Sequence, residues 1–157
     1  MQILFAVSAA LTIASSAYAA PTVGTSATHA CKYQGQSVTR NSVITSVNTA
    51  EGTFTTQNTT TYNGQSQVDE ATSSIEEYSK GEEFVANISL RCNDTAFPGA
   101  QLEMGTVPAG TFEACHVKTV ESGMMIDAYM ANVPFQTVRF SVTNQDVGCD
   151  LVSFQKN

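Results

Sequence analysis

Dipeptides that are typical of turns recur along this chain, and the segments between them are long enough only for short strands or helices. They stand at Glu51-Gly52, Asn63-Gly64, Lys80-Gly81, Pro98-Gly99, Ser122-Gly123 and Val147-Gly148. Glycine ends regular structure at such points because it adopts backbone conformations that other residues avoid. The runs between these turns are rich in Val, Ile and Thr, which favour strands. The spacing therefore predicts an all-β protein.

Polar and apolar residues alternate within these runs with the period of two that is typical of half-buried strands. We predict strands at 37–48, 53–62, 84–92, 111–119, 124–130, 137–143 and 149–155. The stretch 68–78 is ambiguous, because its Ser and Thr content favours a hairpin strand while Val68, Thr72 and Ile75 also fit a helical stripe. Short strands with this regular spacing favour an all-β meander, a sandwich or a barrel.

The first nineteen residues have the pattern of a secretory signal peptide. An apolar run occupies 1–14, and Ala17-Tyr18-Ala19 is a small-x-small cleavage motif. The run is too short to span about 30 Å of hydrocarbon comfortably, and no basic cluster follows it. We expect a signal peptide at 1–19, an irregular leader at 20–36 and a single β-rich domain at 37–157. The protein would be exported, either periplasmic or extracellular, with no transmembrane segment after cleavage.

The cysteines form an even set in a chain that is predicted to enter an oxidising compartment. They are Cys31, Cys92, Cys115 and Cys149. An even set favours two disulfides that staple the sheet, although four cysteines allow three connectivities. We prefer the pairing Cys31–Cys92 and Cys115–Cys149, on the assumption that disulfides join neighbouring strands. The sequence has no C-x-x-C pair, so we expect no metal site.

Charge and motif content exclude several classes of function. Seven Lys and Arg stand against fourteen Asp and Glu, giving a formal net charge of −7, whereas nucleic-acid binding needs clustered cations that contact phosphates. We assign the acidic stretch 69–83 to a solvated face. His116 near Glu113 and His29 in the leader have no nucleophile motif beside them, because G-x-S-x-G is missing and the cysteines are expected in disulfides. We predict no catalytic residue, no enzyme activity and no cofactor.

One segment resembles a known group of proteins. Val107-Pro108-Ala109-Gly110-Thr111-Phe112 is followed by Val133-Pro134 and then by Leu151-Val152-Ser153-Phe154. This order of landmarks, within residues 102–154, resembles the exported and mostly uncharacterised half-barrel proteins related in fold to the periplasmic lipoprotein carrier of bacteria. Members of that group curl one antiparallel sheet around an apolar concavity, and some hold lipid or acyl chains there. The resemblance implies the same architecture here, an all-β antiparallel meander that forms a curled sheet or half-barrel, and it implies an apolar ligand.

Two functions are compatible with these observations. The first is an exported, non-enzymatic binding module that holds an apolar or lipid-like ligand on the concave face of the sheet. Its candidate ligand contacts are Phe112, Met124, Ile126, Met130, Val138 and Phe140, although the same residues also fit an ordinary packed core. The alternative is an envelope or secreted structural module that binds a protein and no small molecule, through the Thr-rich run 53–61 or the acidic stretch. The sequence does not determine the oligomeric state.

Overall fold

The computed structural model describes residues 20–92, 98–143 and 145–157. The strands are β1 (Ser26–Tyr33), β2 (Gln36–Asn48), β3 (Thr53–Tyr62), β4 (Gln65–Ser74), β5 (Gln101–Val107), β6 (Gly110–Glu121), β7 (Met124–Met130), β8 (Thr137–Thr143) and β9 (Val147–Gln155). Two helices, α1 (Ile75–Ala86) and α2 (Ile88–Arg91), connect β4 to β5. The predicted signal peptide lies outside the described residues. Neither helix of the described ranges is long and apolar enough to cross a membrane.

All nine strands belong to one antiparallel sheet with the order β4-β3-β2-β1-β9-β8-β7-β6-β5. Successive hairpins form its N-terminal half from β1 to β4 and its C-terminal half from β5 to β9. The first and last strands of the chain, β1 and β9, pair at the centre and join the two halves. The edge strands β4 and β5 are not paired with each other, so the curled sheet stays unclosed. The predicted all-β meander and curled sheet are confirmed.

Local sequence decides several strand boundaries correctly. β3 and β8 begin and end where the alternation predicts, at 53–62 and 137–143. Asn63 and Gly64 form the two-residue loop between β3 and β4, with φ values of 47° and 75°. This left-handed pair is the geometry that Asn-Gly favours, because its twist matches that of the flanking strands.

The strand predicted at 84–92 is wrong, since this stretch is helical. The Ser74 hydroxyl caps α1 by accepting hydrogen bonds from the backbone N–H groups of Glu76 and Glu77, and such a cap stabilises a helix start. The sequence of this stretch fits both the period of two of a strand and the period of about 3.6 of a helix. Val85, Ile88 and Cys92 bury one helical face, whereas Leu90, inward in the strand prediction, is 82% exposed. The helical period prevails because that face packs against β6.

Two neighbouring predictions are also revised. The ambiguous stretch 68–78 divides at Ser74, with strand before it and helix after it. The leader predicted to be irregular at 20–36 contains β1, which pairs with β2 on one side and with β9 on the other. Its short sequence lacks a strong alternation, and pairing on both sides stabilises it as a strand.

The preferred disulfide pairing is wrong, although the expectation of two disulfides is confirmed. The bonds are Cys31–Cys149 and Cys92–Cys115. Cys31 and Cys149 are direct cross-strand partners between β1 and β9, with their Cα atoms 4.0 Å apart. Cys92 follows α2 and joins the helices to β6. The prediction failed because it treated Cys92 as a strand residue and did not anticipate the pairing of the first strand with the last.

The helices cover one face of the sheet, which we call the inner face. Val85, Ile88 and the Cys92–Cys115 disulfide form a buried cluster there, with Val117 and Met130 packed against it. Consecutive strand residues point to opposite faces. Ala114, the neighbour of Cys115, accordingly belongs to a second buried cluster, which includes Val107, Ala131, Val133, Val138 and Leu151.

An ion pair fixes α1 to the C-terminal end of β9. The Nζ atom of Lys156 lies 2.8 Å from Oε2 of Glu82 and 2.9 Å from Oδ1 of Asn132. The Glu82 side chain is almost fully buried, so the Lys156 charge compensates a carboxylate that has lost its water. Further along the helix face, Gln136 packs directly on Gly81, where a larger residue would meet its side chain. α1 is therefore held across one end of the inner face.

Candidate functional site

A cavity of about 390 Å³ lies on the inner face, lined by residues of β1, β2, β3, β4, β8 and β9 and of the loop before β8. Three aromatic side chains line it: Phe54 from β3, Phe140 from β8 and Phe135 from the loop before β8. The Cys31–Cys149 disulfide, where the two halves of the sheet meet, contributes to the same wall. A hollow of this size and lining is typical of a site for one small ligand.

The helix α1 contacts one of the aromatic residues that line this cavity. The rings of Phe54 and Tyr78 meet edge to face, with their centroids 5.3 Å apart. Burial, with the Glu82 carboxylate as a smaller cause, raises the pKa of Tyr78 to about 12. The neutral phenol is thus the favoured form in the folded protein. The Phe54 end of the cavity has two aromatic rings in contact, Phe54 and Tyr78.

Polar side chains occupy the wall that β1, β2 and β3 contribute. The Ser42 hydroxyl donates a hydrogen bond to Oδ1 of Asn58 at 2.8 Å, and Nδ2 of Asn58 donates to Asp69 at 3.2 Å. His29 lies next to Arg40 across the strand pair, and its Nε2 atom lies 3.0 Å from the carbonyl oxygen of Thr137. Since a carbonyl only accepts, Nε2 of His29 bears the hydrogen. These bonds hold the polar wall in a defined arrangement.

Phe135 reaches the cavity from a backbone that few residues of its type adopt. Phe135 and Gln136 have φ values of 58° and 61°, in the left-handed region where a bulky side chain costs energy. The loop is held by hydrogen bonds from the backbone N–H of Ala131 to the Gln136 carbonyl and from the Gln136 N–H to the Val133 carbonyl. Strain of this kind concentrates at binding sites, because the surrounding structure has to compensate for it.

The structure separates the six residues that the sequence proposed as ligand contacts. Met124, Ile126 and Met130 lie on the inner face of β7, and Phe140 faces them from β8. Of these, Phe140 lines the cavity, Met130 packs against the helices, and Met124 contacts the Gln145 side chain. Phe112 and Val138 instead belong to the cluster around Ala114 and Leu151. The six therefore do not form one surface.

The alternation pattern did not single out the residues that do line the cavity. Phe54, Thr56 and Asn58 are the buried residues of β3 and alternate correctly, yet the polar Thr56 and Asn58 resemble an outward face in the sequence. Phe135 follows a proline in a loop and belongs to no periodic run. Among these cavity-lining residues, Phe54 alone could have been found from the local sequence, because it is an aromatic residue within a Thr-rich strand.

A larger groove, of about 670 Å³, lies at the ends of the β1–β2 and β8–β9 hairpins. Its lining includes the turn residue Asp146 and Val147, the first residue of β9. Arg139, another lining residue, already binds Asp150 at 2.6 Å. The groove has only one aromatic residue, Phe140, which it shares with the smaller cavity. We regard the smaller cavity as the candidate site, because Phe54, Phe135 and Phe140 give it an aromatic lining.

His116 lies on the opposite face of β6 and has structural partners. Its Nδ1 atom is 2.5 Å from Oε1 of Glu103, and its Nε2 atom is 2.8 Å from Oδ1 of Asp127. The ring stacks on Tyr129 with centroids 4.1 Å apart, while Glu113, its predicted neighbour, pairs in register with Met104. Both ring nitrogens of His116 are occupied, and the network joins β5, β6 and β7.

The acidic stretch 69–83 does not converge on a common point. Glu76 binds Lys80 at 2.6 Å on the exposed helix surface, and Glu83 lies 3.5 Å from Arg91, while Glu82 binds Lys156 inside. Within the described parts of the chain, no three His, Cys, Asp or Glu side chains are placed to hold a metal ion.

Comparison with known proteins identifies the fold but no family. No family model matches this chain, and no curated protein matches it. A solved structure from Bacteroides fragilis NCTC 9343, of a protein described as exported and of YmcC-like fold, is similar with a TM-score of 0.50 and 13% sequence identity. The match covers 88% of this chain and 99% of that one. At this identity the similarity supports the architecture and not a shared activity.

Proposed function

We propose that this protein is an exported, non-enzymatic binding module that holds an apolar or lipid-like ligand in the cavity of the inner face. Export is supported by two disulfides with no free cysteine among the described residues, because such bonds persist in oxidising compartments. The similar fold belongs to a protein described as exported. The signal-peptide pattern at 1–19 supports the same conclusion, for either the periplasm or the extracellular space.

The observation that favours ligand binding is the aromatic cavity beneath an unclosed sheet. In a packed core, inward side chains interdigitate and leave few voids larger than a water molecule. Here Phe54, Phe135 and Phe140 are among the residues that line an unfilled pocket of about 390 Å³. An apolar ligand would remove these rings from water, which is favourable in proportion to the area covered. The relation to lipoprotein carriers proposed from the sequence is compatible with such a ligand.

The non-enzymatic part of the proposal is supported by the surroundings of the titratable groups. His116 lies on the face opposite the cavity, with both ring nitrogens occupied by carboxylates. His29, which does line the cavity, uses one nitrogen to bind the Thr137 backbone. A nucleophile within reach of a base is the usual requirement for covalent catalysis, and neither histidine has a Ser or Cys among its hydrogen-bond partners.

A pair of tryptophan variants on β4 tests the proposal. Ala71 lines the cavity, whereas the adjacent Thr72 points to the other face, and both side chains are exposed. We expect the parent to bind the uncharged fluorophore N-phenyl-1-naphthylamine with saturable, one-to-one stoichiometry at micromolar concentration. Ala71→Trp should abolish this binding by filling the cavity, and Thr72→Trp should preserve it. Unsaturable binding by the parent, or equal loss in both variants, would contradict the proposed site.

The edge strand β4 favours a second candidate function, that of a protein-interaction module. Nine of its ten residues are exposed, and its outer side has no strand partner. An edge with free backbone N–H and C=O groups accepts an added strand from another protein. Asp69 and Glu70 at its centre disfavour pairing with a second copy, because antiparallel self-pairing would bring like charges together. A stoichiometric protein partner protecting β4 amides from hydrogen exchange would support this alternative.

A further inference from the structure

The distribution of ion pairs singles out Arg40. Five of the seven Lys and Arg residues lie within 4.0 Å of a carboxylate: Lys80, Arg91, Lys118, Arg139 and Lys156. In the described parts of the chain, Arg40 and Lys32 have no such partner. Fourteen acidic residues are available in this sequence, so an arginine without a carboxylate is unusual here. Arg40 lines the cavity of the inner face, and Lys32 lines the larger groove.

The neighbours of Arg40 do not neutralise it. Asp69, the acidic residue nearest in register on the same face, accepts its hydrogen bond from Asn58 instead. Arg40 faces His29 across β1 and Thr60 across β3, neither of which contributes a negative charge. A guanidinium presents several N–H donors in a planar fork, a geometry that matches a carboxylate or a phosphate. Arg40 thus offers an unused anion-binding group.

The cavity has opposite chemical character at its two ends. Phe54 lies six residues along β3 from Thr60, the partner of Arg40, which corresponds to roughly 20 Å of strand. The Phe54 end is aromatic, because the Tyr78 ring of α1 packs edge to face against Phe54. The Arg40 end is polar, and Arg40 itself is exposed to solvent. A ligand that satisfies both ends has an apolar body and an anionic head.

We propose that the ligand is a single-chain amphiphile whose anionic head, a carboxylate or a phosphate, binds Arg40 while its apolar body lies against Phe54, Phe135 and Phe140. This inference rests on the proposed function, and it specifies the ligand class for the same cavity. About 390 Å³ suits one small molecule and not a multi-chain lipid. In a chain of net charge −7, anion recognition requires a local cation of this kind.

Displacement of bound N-phenyl-1-naphthylamine by three matched amphiphiles tests the inference. Decanol, decanoate and decyl phosphate share the same apolar body and differ only in the head. We expect decanoate or decyl phosphate to bind the parent about tenfold more tightly than decanol, as a charge-assisted hydrogen bond to arginine provides. The better of the two anions identifies the head. Added salt should weaken anion binding and leave decanol binding unchanged.

Substitutions of Arg40 and Lys32 test whether Arg40 causes the preference for the anionic amphiphiles over decanol. Arg40→Gln should reduce the anion-to-decanol preference to near unity, and Arg40→Lys should retain part of it. Lys32→Gln is the matched control, because it removes the other unpaired cation and should leave the preference intact. Equal binding of anion and alcohol by the parent, or equal effects of Arg40→Gln and Lys32→Gln, would overturn the inference while the proposed function stands. Failure of all three amphiphiles to displace the probe would contradict the proposed function itself.

Discussion

The two halves of the sheet place different chemistry on the same inner face. The N-terminal half presents Arg40, Ser42 and Asn58 on β2 and β3, and its edge strand β4 is almost wholly exposed. The C-terminal half presents Ile126, Phe140 and other apolar residues, and no residue of β7 other than Met125 is fully exposed. The N-terminal half therefore contributes most of the polar side chains of the cavity together with Phe54, and the C-terminal half contributes mainly apolar ones.

This difference shows how one continuous sheet can line a single cavity with both polar and apolar side chains. The halves are separate meanders that are joined in the sheet by the pairing of β1 with β9, and the Cys31–Cys149 bond crosses that junction. The second disulfide, Cys92–Cys115, fastens the helices to the C-terminal half. Two features thus hold the halves in place: the pairing of β1 with β9, and the helices that cover the inner face. Substitutions can perturb each feature separately.

The largest expected effect comes from breaking the junction. Replacing Cys31 and Cys149 together with alanine opens a loop whose ends are 118 residues apart, and the chain-entropy model predicts a loss of about 5 kcal/mol in the free energy of unfolding. Replacing Cys92 and Cys115 opens a loop with a separation of 23 residues and should cost about 3 kcal/mol. Urea unfolding of the two double variants measures both values. The reverse order would mean that packing around the buried Cys92 and Cys115 outweighs loop entropy.

A smaller effect should distinguish the packing of the two halves. Leu151 is fully buried in the C-terminal half, whereas Val68 on β4 is 55% exposed. Leu151→Ala should lower the free energy of unfolding by about 3 kcal/mol through the cavity it leaves. Val68→Ala should change it by less than about 0.5 kcal/mol, as a surface substitution does. Similar losses in urea midpoint for both variants would contradict the exposed position of Val68 on β4.

The smallest effect concerns the helical cover at the Phe54 end of the cavity. Tyr78 has a pKa raised from its ordinary value of 10.0 to about 12, through burial and then through Glu82. A raised folded-state pKa contributes stability that is fully present below pH 10 and is lost as the pH rises towards 12. Ultraviolet absorbance should detect a late-titrating phenol that disappears in Tyr78→Phe. If every phenol titrated near the ordinary pKa, the Tyr78 side chain would be exposed to solvent and not buried by its neighbours.

Features that depend on neighbouring residues were predictable from the sequence. The limits of β3 and β8 follow from alternation, and the β3–β4 turn follows from Asn63-Gly64. Where local signals conflict, prediction failed: the stretch 84–92 matches a period of two and also places Val85, Ile88 and Cys92 on one helical face. Burial against β6 decided between these patterns, and the partner surface is not visible in the local sequence.

By itself, the sequence determined the all-β class, most strand positions, the use of the cysteines in disulfides and the acidic charge. Only the tertiary structure decided that β1 pairs with β9, that Cys31 therefore meets Cys149, and that Arg40 shares a cavity with Phe54 and Phe140. The physical reason is sequence separation. Alternation and turn propensity act over a few residues, whereas contacts across more than a hundred residues depend on which sheet faces become buried together.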